Sequence, residues 1–71
     1  MTRVEVFRTN VTTATQAARL LRLLNESFPD YKINFDLEDC DKVLRVEADG
    51  VAVDGVIALV TNRGFVCDAL E

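Results

Sequence analysis

Histidine is absent from this chain. The commonest general base and the commonest metal ligand are therefore missing, and nucleophile–histidine catalysis is excluded. Cysteine occurs only twice, too few for a disulfide framework. Glycine occurs three times, and no glycine-rich loop is present to cradle a phosphate. No apolar run approaches the ~20 residues that span a bilayer, so membrane insertion is not expected. The opening stretch "MTRVEVFRTN" is charged and alternating and does not read as a secretion signal. A cytoplasmic location with reduced thiols follows as the expectation. Basic residues are outnumbered, 8 against 12 acidic, for a formal charge of −4. Nucleic acid is not an expected partner, because phosphate binding needs a clustered basic face.

What is present reads as one small globular domain, residues 1–71. Residues 2–8 alternate, with Val4 and Val6 on one side and Arg3, Glu5 and Phe7 on the other. This predicts a half-buried strand with its valines inward. After "TNVTT", Thr13 and Gln16 form the T-x-x-Q of a capping box. Ala17, Leu20, Leu21, Leu24 and Phe28 follow at the spacing of one buried helical stripe, and Pro29 ends it. Arg19, Arg22 and Glu26 fall on the solvated far side. "YKINFDLED" alternates again with Ile33, Phe35 and Leu37 on one face. "VLRVEAD" makes a third strand, with Leu44, Val46 and Ala48 inward.

A second helix is expected over residues 53–63, with Val53, Val56, Ile57 and Val60 buried. Gly55 within it invites close packing against a neighbour, and Gly64 is placed to cap it. A last short strand carries Phe65, Cys67 and Ala69 on one face. Leu70 and Glu71 receive little weight, since an expression-vector remnant would look the same. The order strand, helix, strand, strand, helix, strand is most economically satisfied by an α+β, ferredoxin-like βαββαβ sandwich. Its antiparallel sheet has the order 4-1-3-2, with both helices on one face.

At the level of motifs, the chain resembles the heavy-metal-associated domain family of copper-chaperone type. "INFDLED" followed by "VLRVEAD" is similar to that family's middle hairpin. "VIALVTNRGFVCDAL" is similar to its closing helix and strand. Asn10-Val11 stands where the family has Gly-Met, and Thr13 and Gln16 stand where it has its C-x-x-C pair. The resemblance implies metal binding by two thiolates, and this chain has neither. A hydroxyl and a neutral amide do not hold a soft ion. No metal is therefore expected at Thr13 and Gln16, whose pattern suits a helix cap instead. The middle turn is also longer than the family pattern.

Some rim residues remain as candidates. The topology brings residues 10–15, 38–42 and 62–65 to one end of the sheet. In "DLEDCD", Cys40 with Asp39 and Asp41 offers an alternative weak metal site, although the spacing is not that of a calcium loop and a solvated acidic turn is the simpler account. Cys40 and Cys67 are placed three strand spacings apart, about 14 Å, well beyond the ~7 Å Cα separation that a disulfide tolerates. Cys67 is expected to be buried and Cys40 exposed.

Asn10, Thr12, Phe7 and Val66 are candidate contact residues, with Phe7 and Val66 forming an exposed sheet patch for a protein partner or a homodimer. A chain of this size leaves little room for a ligand pocket of ~300 Å³. No catalytic constellation and no cofactor site are expected. The reading is a non-catalytic interaction or regulatory module, with an altered metal-binding domain as the alternative. Amino-acid-sensing domains share the strand order, but no ligand loop is recognisable.

Overall fold

A computed structural model describes residues 1–70. The elements run β1 (Arg3–Thr9), α1 (Ala14–Ser27), β2 (Lys32–Asp36), β3 (Val43–Ala48), α2 (Val53–Asn62) and β4 (Cys67–Leu70). The strands form one antiparallel sheet in the order β2-β3-β1-β4, the expected order read from the other edge. The architecture is the α+β, ferredoxin-like arrangement. Its core joins Ala17, Leu20 and Leu24 of α1 and Val56 and Val60 of α2 to Phe7, Leu44, Val46 and Cys67 of the sheet. No helix among the described residues is long and apolar enough to cross a membrane.

Local chemistry accounts for the helix ends. Thr13 precedes α1 in extended conformation (φ −122°, ψ 152°) and forms a reciprocal capping box with Gln16. At the other end Phe28 closes α1, its N–H donating to the Leu24 carbonyl at 2.7 Å. The start of α2 has no side-chain cap of its own. Instead Ala52 N–H donates to the Tyr31 hydroxyl at 2.8 Å. Tyr31 in turn stacks on Phe28, with ring centroids 4.8 Å apart and planes 5° apart. A Cβ at Gly55 would stand 3.1 Å from Phe28 Cζ, so the missing side chain admits that ring. Beyond α2, Gly64 adopts φ +89°, a conformation that glycine enters without steric cost.

The faces of β1 are the reverse of the sequence expectation. Directly paired residues of a sheet share a face. Phe7 pairs with Leu44 and Ala69, Glu5 with Val46, and Thr9 with Cys67. Arg3, Glu5, Phe7 and Thr9 therefore face the helices, whereas Val4, Val6 and Arg8 face outward. Phe7 is fully buried and Val4 is 51% exposed. Alternation defines two faces but not which one is inside. Here the central strand β3, whose Leu44 and Val46 are wholly buried, sets the choice, and the aromatic ring fills the centre in place of two smaller valines. Leu70 pairs with Val6 at the end of β4 and so belongs to the fold. Glu71 lies outside the described residues.

Candidate functional site

The rim at the end of β1 is held by side chains bonded to backbone. Thr13 Oγ1 accepts the Gln16 N–H at 3.1 Å. The Gln16 carbonyl oxygen accepts the N–H groups of Thr12 (3.1 Å) and Thr13 (3.4 Å) and the Thr12 hydroxyl (3.4 Å). Both positions of T-x-x-Q are thus engaged in satisfying the start of α1, where backbone donors lack helical partners. Asn10 Oδ1 accepts the Val66 N–H at 2.8 Å and ties the loop to the approach of β4. Val66, expected with Phe7 on the sheet face, is instead tied to Asn10 at the rim. The side chains of Asn10 and Thr12 brace the loop itself.

Thr9 carries no motif that marks it along the chain. It is the one buried polar residue among the described residues, at 6% exposure. Its hydroxyl donates to the Lys42 carbonyl and accepts the Val11 N–H at 3.2 Å. Its own N–H donates to the Asp41 carbonyl at 3.1 Å. One residue therefore joins the end of β1 to the middle turn. Its only sequence signal was a threonine continuing the alternation on the side of Phe7.

The middle turn is organised from within. Asp36 Oδ1 accepts the Glu38 N–H at 3.2 Å, and Asp39 Oδ1 accepts the Asp41 N–H at 2.9 Å. Lys42 takes a left-handed φ of +49°, and its ammonium donates to the Leu37 carbonyl at 2.9 Å. One ligand atom from each of Asp39, Cys40 and Asp41 lies within 4.8 Å of the others, and all three residues are exposed. Local turns of this kind explain the proximity without an ion.

Phe7, buried in the core, contributes no contact surface, which corrects that expectation. Val66 is 46% exposed. Val66 lies just before β4, and among the described residues Val4 is the large apolar residue exposed on a strand. The register places the Arg8–Asp68 ion pair, 3.0 Å long, along the outer face between them. The outer face is thus interrupted by charge rather than continuously apolar.

The two thiols are both free, Cys40 exposed and Cys67 buried. Burial pushes the Cys67 thiol up from 9.0 to about 11, and the neighbouring Asp68 carboxylate adds to the shift. Native protein treated with iodoacetamide at pH 8 is expected to carry one label, on Cys40, and denatured protein two, which intact-mass analysis counts. Because the folded thiol holds its proton more tightly than the unfolded one, its contribution to stability is complete below about pH 8.5. That contribution is lost as the pH rises through 9 towards about 11.

A groove of about 320 Å³ opens between α1 and the segment leaving α2. Leu20, Leu23 and Phe65 supply apolar surface, and Thr15, Gln16, Arg19 and Arg63 supply the polar groups. This is more room than the size of the chain suggests. Arg22, expected beside Arg19 on the helix, pairs instead with Glu26 at 3.7 Å. A second, smaller cavity of about 200 Å³ lies between Thr2, Asp30, Lys32 and Glu47 and carries both signs of charge. No protein-family model matches this chain, and no curated protein or solved structure does either.

Proposed function

We propose that the chain is a small non-catalytic interaction or regulatory module of heavy-metal-associated type, with a helix cap in place of the metal pair. The observation that carries the reading is the closed capping box: the Thr13 hydroxyl and the Gln16 carbonyl oxygen are already engaged with backbone N–H groups. Neither side chain supplies a soft donor. Native mass spectrometry of the reduced monomer, offered Cu(I) or Zn(II), is expected to find no stoichiometric, tightly held ion. One retained ion per chain overturns the reading.

The alternative, a weak site on Cys40 with Asp39 and Asp41, is favoured only by the closeness of the three groups. Against it, Asp39 already accepts a backbone hydrogen bond within the turn. Cys40→Ser decides the matter: the substitution should abolish uptake at this site, and unchanged metal binding removes it.

A further inference from the structure

We infer that the groove beside α1 receives the C-terminal end of a partner polypeptide, its terminal carboxylate at the arginines and an apolar last side chain on the leucines and Phe65. The inference rests on the interaction-module reading and gives that module a specific ligand.

The polar groups of the groove are almost all donors. Arg19 and Arg63 carry guanidinium groups, which donate hydrogen bonds and cannot accept them. Among the described residues neither forms an ion pair, whereas Arg8 and Arg22 do. Gln16 would ordinarily offer both a donor and an acceptor. The capping box engages its carbonyl oxygen with Thr12 and Thr13, leaving the amide NH₂ as its free polar group. The structural cap and the binding surface are therefore two uses of one side chain.

The charge distribution points the same way. Acidic residues outnumber basic ones, 12 to 8, yet no carboxylate lines this groove. An anion entering the groove meets two guanidinium-bearing side chains and no carboxylate, and bonds to an ionised partner are the stronger kind. A free amino acid would also bring an ammonium group, for which the groove has no carboxylate. A chain end has lost that ammonium to a peptide bond. The volume of about 320 Å³ sits at the low end of ligand sites, roughly 300–1,000 Å³, which suits a terminal residue better than a cofactor. Leu20, 2% exposed, belongs to the core beneath the groove, and half-buried Leu23 and Phe65 present most of the apolar surface.

The test is a titration of isotope-labelled protein, followed by amide NMR, with acetylated hexapeptides of neutral sequence. The peptides end in leucine, phenylalanine or glycine, with a free or an amidated terminus. The expected result is saturable shifts at Arg19, Leu20, Leu23 and Phe65 with the free-ended leucine or phenylalanine peptides. Amidation, a terminal glycine, and free leucine offered in place of the peptide should each weaken binding about tenfold or more. Arg19→Gln and Arg63→Gln should each do the same, the loss expected for one charge-assisted bond. Both arginines are exposed, so the urea midpoint should not move.

Equal binding of amidated and free-ended peptides overturns the assignment. So does equal binding of free leucine, or of a peptide blocked at both ends with an internal acidic residue. So does an absence of saturable shifts at millimolar peptide. None of these outcomes touches the module reading, which stands or falls on the separate metal measurement.

Discussion

Phe7→Ala is expected to cost about 3–5 kcal/mol, whereas Val4→Ala should change stability by no more than about 0.5 kcal/mol. The difference follows from the faces of β1. Phe7 is fully buried on a central strand, flanked by Leu44 on β3 and Ala69 on β4. Truncating its ring removes apolar burial and leaves a cavity that a four-stranded sheet with two helices cannot readily close. Val4 is 51% exposed and has little burial to lose. A domain of 71 residues has a total stability of only about 4–11 kcal/mol at typical values per residue. The phenylalanine variant should therefore be marginal at room temperature. Urea unfolding followed by circular dichroism compares the two midpoints, provided the slopes agree. If Val4→Ala is the costlier change, the strand has the opposite face inward and the account of the core is wrong.

Thr9→Val is expected to lower stability by about 2–4 kcal/mol, although the two side chains have nearly the same shape. The valine leaves the Val11 N–H without its acceptor and the Lys42 carbonyl without its donor, both at the junction of β1 with the rim. Valine and threonine both suit strands, so backbone preference contributes little. Thr9→Ser retains both hydrogen bonds and should cost about 1 kcal/mol for the lost methyl group. Amide exchange separates the causes. In Thr9→Val the Val11 amide should exchange faster than in Thr9→Ser, beyond the change shared by the whole core. Equal effects of the two variants would make Thr9 a packing residue and remove the hydroxyl bridge from the account of the rim.

Much of the fold is legible along the chain because its determinants are close in sequence. T-x-x-Q places a hydroxyl and an amide within reach of the N–H groups they satisfy. The stripe Ala17, Leu20, Leu21, Leu24 and Phe28 predicts one buried helical face; Ala17, Leu20 and Leu24 are buried, whereas Leu21 and Phe28 are half-buried. Gly55 and Gly64 occupy positions where a side chain would crowd Phe28 or strain the backbone. The burial of Cys67 follows from its alternation with Phe65 and from its small apolar character.

The candidate site is less legible. Arg19 and Arg22 are near neighbours in sequence, yet Arg22 turns to Glu26 and Arg19 shares its groove with Arg63. The partnership of Arg19 with Arg63 depends on where α2 ends relative to α1, and no spacing in the sequence encodes it. Thr9 reads as an unremarkable strand residue until the middle turn is brought against it.

From the sequence alone come the six elements, their order, both helix stripes and the capped beginning of α1. Each depends on side chains and backbone groups within a few residues of one another, so local geometry decides it. Only the tertiary structure decides that Phe7 points inward, that Thr9 grips the middle turn, and that two arginines line one groove without a carboxylate. Alternation is symmetric between the faces of a strand, and charge is only a sum until folding gives it a position. Pairing with β3 breaks the first symmetry, and the packing of α2 beside α1 supplies the second.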